Sequence, residues 1–124
     1  MNIVLIDDEY ISNFISKKLI ENIDASIHVV EYNDPEDGFC HLHCNKPDVV
    51  FLDINMPVMS GWDFLDKMVA EKIDYKVVVL TSSVNTIDRK MAARYNNIIG
   101  FIEKPATIAS LKPVIAKVME AVIG

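Results

Sequence analysis

A chain of 124 residues, 51% apolar and 24% charged, has the size and composition of one globular domain, expected here over residues 1–124. Twelve basic residues against eighteen acidic ones leave a formal charge of −6, which disfavours sequence-independent binding to nucleic-acid phosphates or to an anionic membrane. The opening Met1-Asn2-Ile3-Val4-Leu5-Ile6 runs at once into Asp7-Asp8-Glu9, unlike a secretion signal, and the apolar runs are too short to span a bilayer, so a cytoplasmic protein is expected.

Short β-branched runs alternate with amphipathic stretches of about a dozen residues, the pattern of βα units around a parallel sheet covered on both faces. Ile3 to Ile6 reads as the first strand. A helix from about Tyr10 to Asn22 follows, with Ile11, Phe14, Ile15 and Leu19 on one face. The second strand is Ile27 to Tyr32. Asn33 or Asp34 then caps a helix that carries Pro35 in its first turn and ends near Asn45.

Val49 to Leu52 is continuously apolar, as a central strand buried on both faces should be, and it stops at Asp53. After a loop with Pro57, Ser60 and Gly61, a third helix places Phe64, Leu65, Met68 and Val69 at core spacing. Lys76 to Leu80 is the fourth strand, followed by Thr81-Ser82-Ser83. The next helix, about Thr86 to Tyr95, has only Ile87, Met91 and Tyr95 as an apolar stripe and is expected to be sparsely anchored. Ile99 to Ile102 is the fifth strand. The last helix carries Leu111, Val114, Ile115, Val118, Met119 and Val122, and Pro113 predicts a regular start near Ser110 after a looser turn.

In an open α/β sheet, ligands bind outside the carboxyl ends of the strands. Those ends here are Asp7-Asp8-Glu9, Asp53, Thr81-Ser82 and Glu103-Lys104-Pro105. Singly, Asp8 reads as a helix cap, Thr81 or Ser83 as another, and Lys104 as a solvated loop residue. Asp53 is different, because an acid at the lip of a buried strand pays for desolvation unless it has a partner. Jointly the residues make a site: clustered carboxylates are stable around a hard dication, and Mg²⁺ fits because it needs few protein ligands and keeps waters.

With these residues in place, the chain resembles response-regulator receivers over essentially its whole length. The motifs occur in order: Asp7-Asp8, the acceptor segment Asp53 to Gly61, Thr81 followed by the small Ser82, Phe101, and Lys104-Pro105. The resemblance implies a flavodoxin-like α/β fold, a doubly wound five-stranded parallel sheet in the order 2-1-3-4-5 with five helices. It also implies a stand-alone regulator in which Asp53 takes a phosphoryl group from a sensor histidine kinase or histidine phosphotransfer protein.

By the same resemblance, Asp8, Asp53 and the backbone carbonyl of Asn55 would ligate Mg²⁺, with Asp7 acting through water. Thr81, Lys104 and the Ser82 backbone would bind the phosphoryl oxygens. Thr81 and Phe101 would switch the surface formed by the fourth helix, fifth strand and fifth helix. Output would pass to a protein target or onward along a relay, with no direct nucleic-acid or membrane partner, and the protein would be a signalling module rather than an enzyme.

Other signals weigh less. Cys40-His41-Leu42-His43-Cys44 looks like a metal box, but helical spacing separates the histidines from the cysteines, so reduced, at least half-buried thiols are expected. Met56, Met59 and Trp62 read as packing. Asp53-Ile54-Asn55 resembles the Asp-x-Asp of haloacid-dehalogenase phosphatases, yet Asn55 replaces the second aspartate. A flavin carrier on this architecture would lack a phosphate-cradling loop, since Asp7-Asp8-Glu9 repels phosphate. A constitutive binding module is disfavoured by the intact acidic pair, Thr81 and Lys104.

Overall fold

The computed structural model describes residues 1–82 and 90–123. Five strands, β1 (Asn2–Ile6), β2 (His28–Tyr32), β3 (Val49–Asp53), β4 (Val77–Thr81) and β5 (Ile98–Glu103), form one parallel sheet in the order β2-β1-β3-β4-β5. Among the described residues the helices are α1 (Tyr10–Ile23), α2 (Pro35–Cys40), α3 (Leu42–Asn45), α4 (Gly61–Ala70) and α5 (Ile108–Ile123), with a further helical stretch at 90–92. Fold and strand order are those expected.

The period-2 alternation of strand side chains divides the interior into two cores. On one face Val4, Ile6, Val50, Leu52, Val77 and Val79 meet Phe39, Leu42, Phe64, Leu65 and Met68 from α2, α3 and α4. On the other, Ile3, Leu5, Val49, Phe51, Val78 and Leu80 meet Ile20 of α1 and Leu111, Ile115 and Val118 of α5. Every residue of β3 and β4 is buried, which explains their unbroken apolar sequence. At roughly 1.5–3 kcal/mol for each fully buried large side chain, these two layers hold the strand ends in fixed register.

Several expectations are corrected. Of the stripe expected on α1, Ile11 is 70% exposed and Phe14 and Ile15 are 45% exposed, Leu19 packs partly buried against the core, and Asn13, Ser16 and Ile20 are buried. The reason is polar. Asn13 Nδ2 donates to the carbonyls of Asp7 and Tyr32, both at 3.0 Å, so the helix is seated on two strand ends by an amide. Val69 is likewise exposed, leaving Phe64, Leu65 and Met68 as the core face of α4.

The single helix expected up to Asn45 breaks at His41. Its N–H and Nδ1 both point at the Asp37 carbonyl, at 3.2 and 2.8 Å, and its ring stacks on Tyr32. His43 Nδ1 instead meets the Tyr75 hydroxyl, and Cys40 and Cys44 are free and exposed rather than half-buried.

Helix α5 begins at Ile108, before the expected Ser110. Thr107 and Ser110 cap each other, the Thr107 hydroxyl accepting from Ser110 N–H and Ser110 Oγ from Thr107 N–H. Pro113 is tolerated inside α5 because it lies on the exposed side, where water can serve the carbonyl it leaves without a donor.

Residues 86–89 of the expected fourth helix, with Ile87, lie outside the described residues, as does Ser83. Residues 90–92 are helical, and Ala92 within them and Tyr95 beyond them are buried. Tyr95 donates to Asp66 Oδ1 at 2.6 Å and stacks on Trp62, so this end is anchored more firmly than its sequence suggested.

Candidate functional site

The strand order puts the ends of β1 and β3 side by side, with β4 and β5 following, and this rim collects the charged residues. Strand β1 ends beneath Asp7, whose side chain is fully buried. Its Oδ1 accepts the Glu9 backbone N–H at 2.9 Å and its Oδ2 accepts from Lys104 Nζ at 2.7 Å. Two side-chain amides, Asn13 at 3.0 Å and Asn33 at 3.2 Å, hold the Asp7 carbonyl, so the turn into α1 is tied at its root.

Asp53 closes β3 and is 2% exposed. Its Oδ1 accepts Asn55 N–H at 2.9 Å, a local turn that leads the chain out of the sheet, and its Oδ2 faces Lys104 Nζ at 3.3 Å. Burial holds the Asp53 carboxyl above the usual carboxylate range. The Asn55 N–H and Lys104 work against that, and the Asp7 charge adds to it.

The loop after Asp53 returns through a capping box at Ser60 and Asp63 into α4. Gly61 is required there, since a Cβ on it would lie 2.6 Å from Ile54 Cα and 2.8 Å from the Asp53 carbonyl oxygen.

Lys104 follows β5, and its backbone N–H donates to the Thr81 carbonyl at 2.7 Å. Its ammonium is the cationic centre of the rim, 2.7 Å from Asp7, 3.1 Å from Glu9 and 3.3 Å from Asp53. Burial alone would weaken its hold on a proton. The bonds to Asp7 and Glu9 and the charges of Asp7 and Asp53 outweigh that and raise its pKa above the ordinary lysine value.

One oxygen each from Asp7, Asp8 and Asp53 lie within 4.8 Å of one another. Asp8 Oδ1 is shut off from solvent and has no hydrogen-bond partner among the described residues. A buried carboxylate oxygen without a donor, beside two other carboxylates, is the donor set a hard divalent cation takes up, so these residues fit Mg²⁺.

Thr81 is buried at the end of β4, and Phe101 packs partly buried against the core beneath α4. A groove of about 460 Å³ opens onto the site. It is lined by Asp53, Asn55, Ser82 and Lys104, by Glu9, and by Ile11 and Ile15 of α1. The structure therefore brings together Asp7, Asp8, Asp53, Asn55, Ser82 and Lys104. Reading the sequence gave no role to Glu9, to Asn13 or to the outward face of α1. Glu9 was marked only by standing third in an acidic run on the same rim as Lys104. An asparagine inside a helix carries no comparable signal.

The model of the response regulator receiver domain matches residues 3–116. The chain is 29% identical to the chemotaxis protein CheY of Pseudomonas aeruginosa over 125 residues, covering 100% of both. It is 27% identical over 107 residues to the cyclic di-GMP phosphodiesterase response regulator RpfG of Xanthomonas campestris, where the match covers 85% of this chain and 28% of that longer protein. Among solved structures, chemotaxis protein CheY4 of Vibrio cholerae superposes with a TM-score of 0.83 at 19% identity, covering 94% of this chain and 97% of that one. No helix among the described residues is long and apolar enough to cross a membrane.

Proposed function

The chain belongs to the response regulator receiver family, and on that premise we propose that Asp53 accepts a phosphoryl group from the phosphohistidine of a sensor histidine kinase or histidine phosphotransfer protein. One observation carries this reading: a buried carboxylate, open to a groove, stands 3.3 Å from an ammonium and shares a cation-sized space with two more carboxylates. In the step, an Asp53 oxygen forms a bond to phosphorus as the P–N bond breaks. The imidazole nitrogen leaves with the electron pair and takes up a proton from solvent.

Phosphoryl transfer asks a protein for in-line positioning and for cations and donors around the equatorial oxygens. Lys104, the Thr81 hydroxyl and the Ser82 backbone N–H are the donors assigned to that role. Asp8, Asp53 and the Asn55 carbonyl would hold Mg²⁺, with Asp7 acting through a bound water. The ion, when bound, offsets negative charge between the carboxylates and the phosphoryl group.

Phosphorylation is then read out through Thr81, which moves toward the new anion, and Phe101, whose ring turns behind it to change the surface of β5, α5 and the segment between β4 and β5. The contiguous apolar patch Tyr10, Ile11, Phe14 and Ile15, beside the groove, supports docking of a protein donor next to Asp53.

Incubation with acetyl phosphate and Mg²⁺, followed by intact-mass measurement, tests the reading. The native chain gains one phosphoryl group and Asp53→Asn gains none. An unchanged mass for both would favour a binding module that keeps the fold without the chemistry.

A further inference from the structure

We propose that Glu9 is a resting-state competitor for Lys104, a positioning residue that must be displaced before the lysine can serve a phosphoryl group; this rests on the reading of Asp53 as acceptor. An ammonium has three N–H donors, and here each is directed at a carboxylate, Asp7 at 2.7 Å, Glu9 at 3.1 Å and Asp53 at 3.3 Å. A phosphoryl group on Asp53 needs at least one of them. The Asp7 contact is the shortest and is made to a fully buried carboxylate, and the Asp53 contact belongs to the group being modified. Glu9 is 67% exposed on its side chain, so water can replace Lys104 as its partner at small cost.

Local structure supports this. Glu9 is the N-cap residue of α1, yet its side chain makes no capping bond. Its backbone N–H is spent on Asp7 Oδ1, which fixes the turn, and its carboxylate reaches across to Lys104 in the groove that Asp53 also lines. There it holds the ammonium back and sets a negative charge against an anionic donor. Once Asp53 carries the phosphoryl group, the same carboxylate competes to recapture the lysine.

Glu9→Gln, compared with the native chain at saturating Mg²⁺, tests this by the initial rate of phosphorylation from acetyl phosphate, followed by intact mass. The variant should react about 3- to 10-fold faster, and its rate should rise less steeply with ionic strength, which a merely structural role would not produce. Binding of beryllofluoride, which needs no transfer, is the second probe and should be tighter in the variant. Equal or slower phosphorylation of Glu9→Gln, with native loading intact and an unchanged Tm, overturns the competitor role alone. If neither probe loads the native chain, the reading of Asp53 fails and the competitor role falls with it.

Discussion

Tyr95 shows how far one hydroxyl can bind an element to the fold. Burial, then its hydrogen bond to Asp66, pushes its phenol up to about 12 from an ordinary value near 10. Because the folded value is the higher, stability from this group is fully present below pH 10 and is lost as pH rises toward 12. Urea titrations across that range should show the native chain losing stability more steeply than Tyr95→Phe; parallel profiles would count against the Asp66 bond. In the site itself, Asp8, Asp53 and Lys104 were legible because a strand end is visible in sequence and strand ends face one rim. The Glu9–Lys104 contact was not, since it joins residues 95 apart through side-chain reach, which no local pattern encodes.

Elements follow the same division. Strands β3 and β4 announced themselves as apolar runs because both of their faces are covered. Helix α1 was placed correctly along the chain, but of its expected stripe only Leu19 packs against the core, since periodicity finds an apolar stripe without saying whether that stripe meets the sheet. Asn13 and the small Ser16 decide the matter by letting the helix sit close over two carbonyls. The start of α4 depends on Gly61 in a comparable way. Gly61→Ala must push backbone away from Ile54 and Asp53, so it should lose roughly 1–3 kcal/mol in urea unfolding and slow phosphorylation of Asp53. Full stability and rate in that variant would mean the loop is slacker than the 2.6 Å approach implies.

For the whole molecule, with a formal charge of −6 and three carboxylates at one mouth, a cation taken up there would stabilise the fold. Mg²⁺ at about a hundred times its dissociation constant should stabilise the native chain by about 2.7 kcal/mol, seen as a rise in Tm that a chelator reverses. Asp8→Asn should remove most of that rise while starting from an equal or higher Tm without the ion, because one repelling charge has gone. An undiminished response in Asp8→Asn would place the ion elsewhere. The stack of Trp62 on Tyr95 has a consequence of another kind. Trp62 is the only tryptophan in the chain and directly follows Gly61, whose backbone lies close against Ile54 and Asp53. Tryptophan emission from this molecule therefore comes from a single ring stacked on the anchored tyrosine, an unlabelled optical gauge of any rearrangement that reaches that stack.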